Sequence, residues 1–477
     1  VILEATPVAP VTPPSLAVPR TVTPPAPSPA LEHARASEGG FRRLRADRFR
    51  LAEGFATGPG GWTRLRFEVG QRLLGLGGGG AAPIRAWWRR FELARRRREF
   101  GTLRALWWTA REPLRLVRDA RRVVARHGDL CERRFGVPKR TQLRDLLLLR
   151  LRGVHFDTYY QNQLYRPERR RLADRFFQNH ESMVLTRALA IREAREDFLL
   201  LEDKRRLERW LRARGIPTVE TLGAWTDGSP DAGYDDPVLA VVAAYGRDLF
   251  SKPVDQSGGK GARRWRWDGA VWRDEQGAAY DPVRLVEAVA AESRGDARLL
   301  QRCVLNHPAL AAVANGALCT ARVLTARPPG GAPVVTNAAF RTGVGNASTD
   351  NLHRGGIAVA VDVMTGRLGT AVRADGDFSV VPMERHPDTG TPFAGFQLPD
   401  WEAARALVVR AHASLPAIGM VGWDVAFTPD GPLLVEGNFA PEPRLMQAPS
   451  GEPVAAEHLR ILDAQLRHAY RRRDAER

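Results

Sequence analysis

Residues 422–438, Gly-Trp-Asp-Val-Ala-Phe-Thr-Pro-Asp-Gly-Pro-Leu-Leu-Val-Glu-Gly-Asn, leave the chain little choice but a β-hairpin. Val425–Phe427 and Leu433–Val435 are strand-like, and Pro429-Asp430-Gly431 is turn chemistry. Pro and Asp suit two right-handed turn positions, and Gly suits the left-handed one, so the spacing predicts a three-residue loop with a bulge. In that register Asp424 sits directly opposite Glu436, and Asn438, two residues on, shares its face. Facing carboxylates repel. Either this is a solvated hairpin with incidental acids, or a cation sits between them. Two carboxylates and an amide oxygen are hard ligands suited to Mg²⁺, with Mn²⁺ as a substitute.

Lysine is scarce here, and therefore informative. Of 72 Lys plus Arg only four are Lys: Lys139, Lys204, Lys252 and Lys260. A chain so rich in Ala, Gly, Pro and Arg, as a GC-rich bacterial genome encodes, exchanges Lys for Arg wherever chemistry permits. Two of the four lie in Asp248–Gly261. There a short strand presents Lys252, Pro253 ends it, and Ser257-Gly258-Gly259-Lys260-Gly261 makes a flexible loop. Glycines let backbone N–H groups close around phosphates, and Lys adds a point charge. The GxxxxGK[ST] order of a Walker A loop is absent. In a chain with 44 Gly such a turn is weak evidence alone. The hairpin gives it weight.

Together the two motifs resemble the ATP-grasp family, from about residue 195 to the C-terminus. The resemblance implies an α+β, two-lobed fold holding ATP between its lobes, preceded by a basic, mainly helical region. Lys252 is then expected to contact the phosphates and the adenine side, and Ser257–Gly261 to cover the β- and γ-phosphates. Asp424, Glu436 and Asn438 are expected to hold magnesium. The Asp203-Lys204 pair, opening a helix that ends in Gly-Ile-Pro, resembles the family's earlier ATP-contacting lysine. Leu300–Pro308 resembles the inter-lobe hinge, with Gln301 and Val304 at the adenine edge and Asn306 or His307 toward the ribose. The acidic residue usual at such a hinge is absent, and His307 beside Pro308 is equally a loop histidine.

More narrowly, Asn306-His-Pro-Ala-Leu, Ala317-Leu-Cys-Thr-Ala-Arg322, Arg341-Thr-Gly-Val-Gly and Asp350-Asn351-x-His353-x-Gly-Gly-Ile are similar to the sugar-transfer-associated, glutamate-ligase-related ATP-grasp proteins. Arg322 and Arg341 are the candidate catalytic residues, neutralising the transferred phosphoryl group, with solvated strand arginines as the bland reading. One departure concerns position 422. D-alanine–D-alanine ligases carry an Arg two residues before the metal Asp, where this chain has Gly422, so Arg322 or Arg341 must supply that charge.

The implied activity is an ADP-forming carboxylate–amine (or carboxylate–thiol) ligase using ATP and Mg²⁺, in cell-surface polysaccharide or peptide-conjugate synthesis. Its partners are a small carboxylic acid and an amine, or a sugar-linked acceptor. Two alternatives stand beside it: phosphoryl transfer to a sugar or lipid-linked acceptor, and a membrane-associated ATP-binding scaffold.

The remaining chain divides at 35 and 194. Residues 1–35 begin with nine prolines in the first thirty positions and read as a disordered leader. Residues 36–194 form a basic helical region, and 195–477 the ATP-grasp domain. Of the net charge of +18, none comes from 195–477, where 34 Lys plus Arg meet 36 Asp plus Glu. Ile84–His127 interleaves 14 Arg with Trp87-Trp88 and Trp107-Trp108, and Pro113 should kink it. That pattern suits either anionic lipid or internal packing of the aromatics, and no nucleic-acid reading motif is present. The Gly75–Gly80 run reads as a link. Arg195–Arg214 reads as one helix stopped by Gly215. Three sparse cysteines without metal spacing fit a cytoplasmic protein, peripheral at the membrane if the basic half binds lipid. No apolar run reaches spanning length, no signal-peptide pattern opens the chain, and Val1 suggests an alternative start codon or a fragment.

Overall fold

Two antiparallel sheets carry the chain after residue 220. The computed structural model describes residues 81–475, apart from Gly233 and residues 235–237, 255–260, 346–349, 351, 353–354 and 376–378. The Pro-rich leader, the Gly75–Gly80 run and Ser257, Gly258, Gly259 and Lys260 lie outside the described residues.

The first sheet contains β1 (Thr221–Thr226), β2 (Ser229–Pro230), β3 (Leu249–Pro253), β4 (Arg263–Trp267), β5 (Trp272–Arg273), β6 (Ala279–Tyr280) and β7 (Arg298–Arg302), ordered β2-β1-β7-β3-β4-β5-β6. Helices Val238–Tyr245 and Pro282–Glu292 cover it, burying Val242, Leu285 and Val289 against Leu222, Leu249 and Trp265. The second contains β8 (Thr320–Ala326), β9 (Val334–Thr342), β10 (Ile357–Val361), β11 (Leu368–Asp375), β12 (Ser379–Met383), β13 (Met420–Thr428) and β14 (Gly431–Asn438), ordered β12-β11-β10-β9-β8-β13-β14. The expected α+β class and two lobes are found.

Every residue of β8 and β13 is buried, because the second sheet is covered on both faces. On one face helix Trp401–Ala413 sets Leu407, Val408 and Ala411 against Val323, Phe340 and Val425. On the other, Leu324, Ala339 and Met420 meet Ile84, Phe91, Leu185 and Leu462, drawn from the basic region and from helix Ala456–Ala475. The side-chain period of two separates Val323 from Leu324 onto these two faces.

Three local expectations are corrected. The helix Ala82–Phe135 bends at Gly101, the one residue inside it with non-helical angles (φ 75°, ψ 163°), and runs on through Pro113. Glycine alone tolerates that φ without strain. Arg195–Arg214 is two helices, Arg195–Glu202 and Lys204–Arg212, parted at an extended Asp203. The Asp203 carboxylate caps the second by accepting from the Arg205 and Arg206 backbone N–H groups, which outweighs helical continuity. The hairpin turn has two central residues, not three: Thr428 pairs with Gly431 (φ 103°), and the bulge lies further down, between Asp424 and Val425. One residue fewer in the loop and one extra in the strand cancel, so Asp424 faces Glu436 as expected.

In the basic region, Trp87 and Trp88 pack inside the protein. Trp87 Nε1 donates to Asp463 Oδ1 at 2.9 Å, and Trp88 meets His180 edge-on at 4.8 Å. The Trp107 and Trp108 side chains lie outside the described set. No helix among the described residues is long and apolar enough to cross a membrane.

Arg85 anchors this region. It is 5% exposed and donates to the carbonyls of Ala173, Asp174 and Phe176 at 2.8–3.2 Å, with Nε 3.3 Å from the buried Glu181 carboxylate. Burial raises the Glu181 pKa and Arg85 opposes it. Arg85→Ala strands that carboxylate, and urea denaturation should show a loss of about 3–5 kcal/mol.

Candidate active site

A cleft of about 690 Å³ is lined by β3, β7 and the linker after it on one side, and by β8, β9, β13 and β14 on the other. This is within the usual range for small-molecule sites. Helices of the basic region and residues 440–445 close one part of the wall.

On the first-sheet side stand Lys252 and Lys204. Lys252 is the fourth residue of β3, half-buried beside Pro253. Burial, and then the neighbouring Lys204 charge, pull its ammonium down to about 8. Lys204 is the first residue after the Asp203 cap, and its Nζ donates to the Val254 carbonyl at 3.0 Å. The cap therefore places the lysine. Arg205 holds the cap in turn, bonding both Asp203 and Asp231.

The opposite wall is built on a buried ion cluster. Arg322 of β8 is the cross-strand partner of Asp424 on β13, which is the partner of Glu436 on β14. Asp424 is 3% exposed. It accepts from Arg322 Nε, from Arg322 Nη2 at 3.1 Å and from Arg341 Nη2 at 2.9 Å. Burial alone would raise its pKa, but Arg322 and Arg341 outweigh it and hold the carboxyl well below the usual range. Glu436 is half-buried, with Oε1 accepting from Asn438 Nδ2 at 3.1 Å and lying 4.0 Å from Arg322 Nη2.

This donor set suits a hard divalent cation: Glu436 and Asn438 line the cleft, and Asp424 beside them shares its oxygens with two guanidinium groups. Gly422 leaves the room for that arrangement. A Cβ there would stand 3.1 Å from Arg322 Cδ and 3.3 Å from Pro441 Cβ, so the Arg322 side chain fills the space above it.

The other candidates are distributed as follows. Gln301 lines the cleft but spends its amide on Thr221 Oγ1 at 2.9 Å. Val304 lines it from the linker, half-buried. Asn306 ties the linker down, donating to the Ala317 carbonyl and accepting from Cys319 N–H. His307 Nδ1 accepts from Ala309 N–H as the cap of the 3-10 helix Pro308–Val313, the loop-histidine reading. Gly261 adopts φ 66°, and its carbonyl accepts from Arg298.

Sequence reasoning passed over three cleft residues. Asp350 accepts from Thr320 Oγ1 at 2.6 Å and lies 3.5 Å from Arg341 Nε, so it completes the cluster, and burial raises its pKa against the pull of Arg341. Thr320 also accepts from Arg341, at 2.6 Å. Arg444, 1% exposed, lines the far wall. Asp350 and Thr320 lie inside family-like stretches and Arg444 does not, but the contacts that give all three their place come from tertiary packing.

The cluster makes unequal demands on stability. Asp424→Ala removes the counter-charge of two buried guanidinium groups and should cost on the order of 3–5 kcal/mol in chemical denaturation. Glu436→Gln, at the half-buried rim, should stay within roughly 1 kcal/mol of the parent.

Among solved structures, the chain is similar to the D-alanine–D-alanine ligase of Coxiella burnetii (13% identity, 61% of this chain and 61% of that one, TM-score 0.32). It is also similar to biotin carboxylase of Campylobacter jejuni (11%, 56% and 47%, TM-score 0.34) and L-amino acid ligase of Bacillus licheniformis (15%, 51% and 41%, TM-score 0.28). The chain thus spans less than two thirds of the first of these, and at such identities and scores none bears on activity or substrate. No curated protein matches the chain. The model of one protein family, described as sugar-transfer associated ATP-grasp, matches residues 190–461, more than half the chain. With the two sheets and the lysine- and carboxylate-lined cleft between them, that match makes this chain a member of the sugar-transfer associated ATP-grasp family.

Proposed function

We propose that the cleft binds ATP with magnesium and activates a small carboxylic acid for ligation to an amine, forming ADP. The observation that carries this reading is the convergence of Lys204 and Lys252 from one side and Asp424, Glu436 and Asn438 from the other on a single cleft. The acid's carboxylate oxygen attacks the γ-phosphorus, the bond to the β-phosphate oxygen breaks, and ADP leaves behind an acyl phosphate. The amine then displaces inorganic phosphate, forming the amide and losing a proton.

No enzyme nucleophile is needed. Lys252 and Lys204 bind phosphate oxygens, Lys252 as the better-buried charge. The segment Ser257–Gly261, a short way past the end of β3 in sequence, is assigned to the phosphates on the family resemblance alone. Arg322 and Arg341 orient the acyl phosphate and offset its charge, with Asp350 and Thr320 fixing the Arg341 guanidinium. Glu436, Asn438 and Asp424 would hold magnesium, which would supply positive charge to offset that of the transferring group. The assignment of this chemistry to polysaccharide or peptide-conjugate synthesis rests on the family's name.

Purified full-length chain, screened with Mg-ATP against carboxylate and amine libraries, should release ADP with a matching condensation product by mass. Glu436→Gln should keep most nucleotide binding and lose turnover. Near-normal ADP formation by that variant would place the metal elsewhere.

The Lys252 ammonium supplies a pH signature. Its pKa near 8 in the free cleft rises when phosphates bind, because the charged form is then stabilised. Nucleotide affinity should therefore be full below pH 8. Above it, affinity should fall by up to roughly tenfold per pH unit until the bound-state pKa is reached. Fluorescent-nucleotide titration across pH 8 reads this directly. Lys252→Ala should bind weakly at every pH, and Lys252→Arg should flatten the profile.

A further inference from the structure

Away from the hairpin, the basic region brings two histidines and a carboxylate into one place at the edge of the cleft. His155, Asp157 and His180 each offer a ligand atom, and these atoms lie within 4.8 Å of one another. His155 Nδ1 is 3.1 Å from Asp157 Oδ1, and the His155 and His180 rings are 4.9 Å apart. Asp157 lines the cleft. His180 Nδ1 is buried and has no hydrogen-bond partner, a costly condition for a ring nitrogen unless something occupies it.

We propose that His155, Asp157 and His180 form a second metal site, for a divalent first-row transition ion of the zinc type, with an open coordination position turned toward the cleft for an oxygen of the acceptor substrate. The donor set of two imidazoles and one carboxylate suits such ions and disfavours magnesium. Tetrahedral coordination at about 2.0–2.1 Å separates neighbouring ligand atoms by roughly 3.4 Å. The His155–Asp157 contact already has that spacing, and the widest pair closes it by small side-chain movements.

The surrounding bonds make the site rigid. Gln178, which precedes the helix bearing His180, accepts from His155 N–H at 2.6 Å and from Thr158 Oγ1 at 3.2 Å. Its amide donates to the carbonyl of Gly153 and to Glu181, the same carboxylate that Arg85 anchors. One side chain thus fixes both ligand-bearing segments, and the edge of Trp88 packs on the His180 ring. Such a frame holds ligands before the metal arrives.

The site is independent of the magnesium reading, because it shares no residue with the hairpin. The test is titration of untagged, metal-stripped full-length protein with Co²⁺, followed by its visible ligand-field absorption and by Zn²⁺ displacement. The expected result is one Co²⁺ per chain with a nitrogen and oxygen spectrum, resistant to a large excess of Mg²⁺ and unchanged in Glu436→Gln. His180→Gln and Asp157→Asn should each weaken binding by roughly tenfold or more. No stoichiometric uptake by the parent protein overturns the proposal, whatever the variants do. Intense thiolate charge transfer would assign the ion to Cys131, Cys303 or Cys319 and overturn it equally. So would uptake unchanged in both His180→Gln and Asp157→Asn, or uptake lost in Glu436→Gln.

Discussion

A row of charge crosses the interior of the second sheet: Arg322, Asp424 and Glu436 are successive cross-strand partners on β8, β13 and β14. Like charges side by side in a buried sheet are not tolerated, and Asp424 beside Glu436 is such a pair. The row is stable because Arg322 from the adjacent β8 and Arg341 from β9, one strand further, approach Asp424, both nearly out of solvent. Their hydrogen bonds satisfy both oxygens of the acid and leave Glu436 at the rim. The cluster thereby divides one pair of acids into two roles. Asp424 is fixed in the sheet between two guanidinium groups while still lining the cleft, and Glu436 remains half-exposed beside it. The Gly422 position belongs to the same solution, since a side chain there would take the space Arg322 occupies.

The opposite wall is set by a different device. Lys204 reaches the cleft because a helix is interrupted, and the interruption is an Asp203 side chain closing on the next turn's N–H groups. Arg205 then joins that cap to Asp231 after β2. Both walls thus follow one pattern: an acid held by arginine positions a group of opposite function. In a chain with 68 Arg among its 72 basic residues, two of the four lysines, Lys204 and Lys252, line the cleft.

The hairpin was legible because strand pattern and turn chemistry are local, and the register they imply survives an error in where the bulge lies. The exchange of a three-residue loop for a two-residue turn plus a bulge at Val435 is invisible locally, because both count the same number of residues. The break at Asp203 was hidden by apolar spacing that continues across it from Phe198 to Leu211. The bend at Gly101 rather than Pro113 reflects a choice between two helix breakers that context alone decides. The roles of Asp350, Thr320 and Arg444 could not be read along the chain, since what distinguishes them is burial beside residues far away in sequence. The same is true of His155 and His180. The charge excess before residue 195 was plain, but the inward packing of Trp87 and Trp88 depends on a helix at the other end of the protein.

That last contact has a consequence for how the chain is made. Trp87 bonds to Asp463 across 376 residues, and Ile84 and Phe91 share a core with Leu462 and Leu466. During synthesis the helix carrying them leaves the ribosome long before the surface it needs exists. At about 5–20 residues per second the wait is tens of seconds, with aromatic and aliphatic side chains uncovered. Pairing so distant in sequence also slows closure once synthesis ends. The arginines crowded around those aromatics keep the waiting segment in solution by mutual repulsion. The basic stretch thus protects its own hydrophobic anchors until the last helix arrives.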